Sequence, residues 1–137
     1  MVSETEAATE AAGERLGRSL RVGDLLLLVG PLGAGKTAFV RGLARGTGSP
    51  AQVMSPTFQL VRTYPGRVQL GHVDLYRLPL GADLSDLGLD DLLDEGAVAI
   101  EWGDRLEGLE APRLVIEVVL EGRRRLRLEG APPRWCW

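Results

Sequence analysis

Gly30-Pro31-Leu32-Gly33-Ala34-Gly35-Lys36-Thr37 sets a lysine and a hydroxyl at the end of a glycine-bearing loop. The stretch satisfies G-x-x-x-x-G-K-S/T at every fixed position. Such residues suit a polyphosphate. Gly33 and Gly35 can turn backbone N–H groups inward to form a nest for phosphate oxygens. A helix starting near Thr37 adds its positive end. Lys36 is a compact charge on a flexible stem, able to reach β- and γ-phosphates, which a forked guanidinium would not replace neutrally. Thr37 offers its hydroxyl to Mg²⁺. Of the 16 basic residues, Lys36 is the single lysine. The plainer alternative is a strand–helix turn with a surface lysine. Pro31 has no N–H to give to a phosphate.

A metal nucleotide usually draws on a carboxylate at a strand end. Two strand-like runs end that way: Ala97 to Ile100 leads into Glu101, and Val68 to Val73 leads into Asp74. Each carboxylate is otherwise an ordinary surface acid. Ser55-Pro56-Thr57-Phe58 falls between the loop's helix and the next strand, where switch-like loops reach a γ-phosphate, so Thr57 is a candidate to orient water; its alternative is a turn or cap hydroxyl. His72, the only histidine, sits on a strand and reads as structural, and Trp102 reads as core. The Arg123-Arg124-Arg125 run reads as a strand edge blunted by charge.

The elements that must carry these groups follow from periodicity. Ala7 to Leu20 has helical spacing, and Leu25 to Val29 is an unbroken apolar run expected for a strand covered on both faces. Thr37 to Arg45 predicts a helix stopped by Gly46 and Gly48. Phe58 to Tyr64 and Val68 to Leu75 predict a hairpin turned by Pro65-Gly66. Leucines at 84, 87, 89, 92 and 93 suggest one or two short acidic helices. Ala97 to Ile100, Arg113 to Leu120 and Arg123 to Glu129 complete the strands, and residues 131–137 form a Pro-containing tail expected to be flexible.

With 137 residues, 45% of them hydrophobic and 26% charged, the chain reads as one globular domain spanning 1–137, with no repeat and no linker. No apolar run reaches the roughly 20 residues a membrane helix needs. One cysteine, Cys136, allows neither an intrachain disulfide nor a Cys-based zinc site. The acidic N-terminal residues do not resemble a signal peptide, so a cytoplasmic location is expected. The net charge of -3 is uneven. Residues 31–81 carry six basic groups and one acid, Asp74, as suits a polyanion with a metal, whereas residues 82–110 carry ten acids and one arginine. Neither DNA nor a membrane is expected as a partner.

Taken in order, Gly33-Ala34-Gly35-Lys36-Thr37, Ser55-Pro56-Thr57-Phe58, His72-Val73-Asp74-Leu75-Tyr76-Arg77-Leu78, Leu87-Gly88-Leu89 and Glu101-Trp102 resemble the TsaE (YjeE) family, small bacterial ATPases needed for threonylcarbamoyladenosine modification of tRNA. The resemblance runs from about Glu6 to Leu128. It implies an α/β fold: a P-loop-like three-layer domain with a mixed, partly parallel sheet and a C-terminal antiparallel hairpin. It implies that ATP binds at Leu32, Gly33, Ala34, Gly35, Lys36, Thr37 and Ala38, that Thr37 and Glu101 ligate Mg²⁺, and that Thr57 and Asp74 serve the γ-phosphate. It also implies action on a TsaD–TsaB synthase pair, reset between turnovers, with room for a shared tRNA contact. Family members use N-terminal residues and a C-terminal arginine near adenine and ribose, for which Thr9 and Arg123 are the nearest counterparts. Departures are Pro31, where the family usually has Asp, and Val73, where it usually has Phe. Hydrolysis is expected to be weak without a partner. A small-molecule kinase and a non-catalytic, nucleotide-switched binding module share the phosphate loop and stay open at this point.

Overall fold

The computed structural model describes residues 1–31, 35–49, 61–75, 88–101, 111–119 and 122–137. Leu25–Val29, the apolar run, forms strand β2, and the glycine-bearing loop leads from it into helix α2, Lys36–Gly46. Before them come β1 (Val2–Ser3) and α1 (Glu6–Gly17). After them come β3 (Val61–Tyr64), β4 (Gln69–Asp74), α3 (Leu89–Glu95), β5 (Gly96–Glu101), β6 (Arg113–Val118) and β7 (Arg124–Glu129).

Among the described residues these strands form one seven-stranded sheet in the order β1-β7-β6-β2-β5-β4-β3. The central four, β6, β2, β5 and β4, run parallel. The two edges are antiparallel: β3 on β4, and β7 on β6 with β1 beyond it. The mixed sheet and the C-terminal hairpin are therefore as the motifs imply. Unbroken apolar sequence in β2 and β5 follows from burial on both faces. Alternate residues face opposite layers. Leu26, Leu28, Ala97 and Ala99 join the core formed with α1 and α2, while Leu27, Val98 and Ile100 join Leu89, Leu92 and Leu93 around α3.

Alpha-helices 1 and 2 touch backbone to backbone. A Cβ on Gly42 would collide with the Glu10 carbonyl, and one on Gly13 with the Phe39 carbonyl. Gly17 and Gly46 repeat the arrangement one turn further on. Gly46, expected as a stop signal, is thus the last helical residue and a packing requirement as well. Ion pairs from Arg41 to Glu6 and Glu10, and from Arg45 to Glu10, run along the rim of the same contact. The β3–β4 turn closes the other end: Arg67 donates to the carbonyls of Gly17 and Leu20, both at 3.2 Å, so that a cation meets the negative end of α1.

One expectation is corrected, and one element has no counterpart in the sequence pattern. Strand β1 was not anticipated, because a two-residue strand carries no periodicity. The C-terminal residues 131–137, expected to be flexible, are docked. The buried Asp24 carboxylate, beside the first residue of β2, accepts from the Arg21 N–H (2.8 Å), from Arg134 Nη1 (2.8 Å) and from the Trp135 indole (3.2 Å). Trp135 is buried, and the Trp137 ring meets Phe39 of α2 edge-on at 6.4 Å. Burial pushes the Asp24 carboxyl up, but the hydrogen bonds from Arg134, Arg21 and Trp135 and the Arg134 charge more than offset it, leaving the group below its ordinary value.

Two outcomes follow from this packing. Gly42→Ala forces α1 and α2 apart and is expected to cost about 3 kcal/mol, seen as a Tm lower by about 10 °C for a domain of this size. Asp24 is lowered in the folded state, so its stabilisation is full above the unfolded value of about 3.9 and is lost as pH falls from there through the folded value. The gap in urea midpoint between the wild type and Asp24→Asn is therefore expected to be constant above about pH 5 and to close on acidification. A gap unchanged at low pH would contradict the role given to Asp24.

Candidate functional site

Parallel strands β2, β4 and β5 end side by side. Leu28 of β2 lies in register with Glu101 of β5, and Glu101 with Asp74 of β4. Both carboxylates fall on the alternation that faces α2: Asp74 follows the parity of Leu70, and Glu101 that of Ala97 and Ala99. This is the crevice beyond the carboxyl ends of a parallel sheet, where open α/β sheets bind ligands. Asp74 is 6% exposed and Glu101 4% exposed.

The N-terminus of α2 sits over these ends. Gly35 caps it with φ +102°, a left-handed backbone that disfavours any side chain, and no side chain caps the helix. Lys36 is 6% exposed although it is a lysine. Its Nζ donates to the carbonyls of Gly30 at 2.6 Å and Pro31 at 3.1 Å. Pro31, which cannot donate to a phosphate, thus serves Lys36 as an acceptor. The Thr37 hydroxyl donates to Glu101 Oε1 at 3.5 Å, joining the helix to the end of β5. Ala38 is buried behind it.

The motif residues thereby converge: Lys36, Thr37, Asp74 and Glu101 stand at one corner of the sheet. His72, read from sequence as structural, belongs there too, with Nε2 3.4 Å from Glu101 Oε2. It lies two residues before Asp74 and hence on the same face, as the strand period requires. Thr9 is buried and shares a 2.6 Å hydrogen bond with Ser3. Its methyl lies 3.7 Å from where a Gly35 Cβ would be, so α1 brings it against the loop. Arg123 is half exposed and ion-paired to Glu4 at 3.5 Å, at the β1–β7 edge. Leu32, Gly33, Ala34, Thr57 and Trp102 lie outside the described residues.

Thr37 and Glu101 present two hard oxygen donors on opposite elements. That donor set fits Mg²⁺, which keeps several waters or phosphate oxygens and needs only one or two protein ligands. Among the described residues no group of three His, Cys, Asp or Glu side chains forms a metal cage. An uncapped helix N-terminus, a buried lysine and a hydroxyl–carboxylate pair thus lie together at the carboxyl ends of the parallel strands.

Residues 3–127 match the family model described as threonylcarbamoyl adenosine biosynthesis protein TsaE, and the chain belongs to that family. Two relatives carry the name tRNA threonylcarbamoyladenosine biosynthesis protein TsaE. One, from Streptomyces coelicolor, is 44% identical over 123 residues, covering 87% of this chain and 77% of its own. The other, from Treponema pallidum, is 40% identical over 120 residues, covering 87% and 88%. The crystal structure of Bacillus subtilis YdiB superposes with a TM-score of 0.78 at 27% identity, covering 98% of this chain and 86% of that one. Among the described residues no helix is long and apolar enough to cross a membrane.

Proposed function

We propose that the chain binds Mg-ATP at this corner of the sheet and hydrolyses it as an accessory of tRNA N6-threonylcarbamoyladenosine modification, resetting a TsaD–TsaB synthase pair between turnovers in the cytoplasm. Membership of the TsaE family supports the pathway. The observation that carries the chemistry is the Thr37 hydroxyl on the Glu101 carboxylate, next to the buried Lys36.

In this reading the loop N–H groups from Leu32 to Ala38 cradle the phosphates, and Lys36 exchanges its carbonyl partners for β- and γ-phosphate oxygens. Thr37 and Glu101 hold Mg²⁺, which when bound neutralises charge developing on the phosphate oxygens. Asp74, in register with Glu101, orients the attacking water or accepts its proton, assisted by Thr57. Thr9, beside Gly35, borders the nucleotide, and Arg123 does so from the β7 edge. Turnover is slow until the synthase pair completes the site, and tRNA contacts are shared with that pair.

Lys36→Ala and Glu101→Ala are each expected to lower partner-stimulated ATP hydrolysis by at least about 100-fold, the scale of losing one preorganised transition-state contact. The assay follows the γ-phosphate: release as free phosphate supports an ATPase, and transfer to a small molecule would indicate a kinase instead. Normal stimulated turnover in either variant would overturn the assignment.

A further inference from the structure

His72 is fully buried on β4, on the face that packs beneath α2. Along that face its strand neighbour Leu70 and the β5 residues Ala97 and Ala99 are apolar core. His72 is in register with Ala99, whose methyl leaves room for a ring. Among the described residues neither ring nitrogen has a hydrogen-bond partner. A buried polar ring without partners is destabilising, and an apolar side chain would serve packing better. What the ring faces explains it. Nε2 lies 3.4 Å from Glu101 Oε2, while the other oxygen, Oε1, faces the Thr37 hydroxyl. The two oxygens of one carboxylate are thus divided between two elements.

We propose that His72 is a positioning residue for Glu101. Nε2 stands 3.4 Å from Oε2 without a formed hydrogen bond, close enough for the imidazole N–H to close onto Oε2 when a cation is taken up on Oε1 beside Thr37, which fixes the carboxylate between β4 and α2. This is the arrangement by which outer groups orient a metal-binding carboxylate. The proposal rests on the Mg-ATP reading above. His72 itself touches neither the nucleotide nor the cation, so its loss should raise the demand for metal rather than remove the nucleotide site.

Because His72 is the only histidine, its ring nitrogens give a single pair of signals in an imidazole ¹⁵N NMR spectrum. Glu101→Gln is expected to move the Nε2 signal, and an unmoved signal would overturn the proposal. That measurement needs neither ATP nor activity. The second arm measures ATP binding with Mg²⁺ titrated from EDTA. His72→Leu is expected to raise the half-saturating Mg²⁺ concentration by about 10- to 100-fold while changing the EDTA affinity by less than about twofold, and His72→Gln, which keeps an N–H donor, to recover part of the loss. A purely structural role would lower Tm with the Mg²⁺ requirement unchanged, which overturns the proposal. If His72→Leu does not fold, the ring signal in Glu101→Gln decides alone. A wild-type chain that binds ATP no better with Mg²⁺ than with EDTA overturns the Mg-ATP reading, whereas a normal Mg²⁺ dependence that survives His72→Leu overturns only the positioning role.

Discussion

Two carboxylates buried side by side are the arrangement on which the rest of this structure turns. Asp74 and Glu101 end adjacent parallel strands in register, each less than a tenth exposed. Carboxylates so placed forfeit hydration, which is tolerable only where polar partners are fixed in position. The fold supplies them from above and beside. The Thr37 hydroxyl reaches Glu101 from α2, and the His72 ring approaches it from β4. Lys36 brings a buried ammonium to the same helix end. Two buried carboxylates beside an uncapped helix N-terminus are the setting on which the proposed Mg-ATP site rests.

That partnership depends on where α2 begins, and the position of α2 is set far from the chemistry. Glycines at 13, 17, 42 and 46 let α1 and α2 approach until backbones touch, a distance no side chain permits. Arg67 then fastens the end of α1 to the β3–β4 turn. The docked C-terminal residues brace both ends of the β2–α2 unit, with Arg134 and Trp135 on Asp24 at the start of β2 and Trp137 on Phe39 within α2. Strand β2 and helix α2 are therefore held in one frame, so the N-terminus of α2 and Lys36 keep one relation to the sheet ends.

Much of this was legible in the sequence where the signal is local. The G-x-x-x-x-G-K-T motif has fixed spacing, β2 is an unbroken apolar run, and Pro65-Gly66 marks a turn, so β2 followed by α2 and the β3–β4 hairpin follow from short windows. The glycines of α1 and α2 were in view as well, but a helical glycine looks like a stop until its neighbour is known. Long-range features were not legible. Nothing in either segment states that Asp74 and Glu101 share a register, since parallel pairing is decided by the whole sheet. The tail reads as loose because prolines and arginines are loop-like; its order comes from partners far away in the chain, the buried Asp24 carboxylate, Ser19 and the Phe39 ring. The approach of His72 to Glu101 was not legible either, because the two lie on different strands.

The central claim is that Thr37 and Glu101 act on one shared cation beside the nucleotide. A double-mutant cycle on Mg²⁺-dependent ATP affinity tests it most directly, with Thr37→Val, Glu101→Gln and the pair measured by calorimetry in Mg²⁺ and in EDTA. If both residues serve one ion, the losses are coupled: the double variant falls well short of the sum of the single ones, by more than about 0.5 kcal/mol, and the coupling vanishes in EDTA. Losses that simply add, or a coupling that persists without Mg²⁺, would contradict the account.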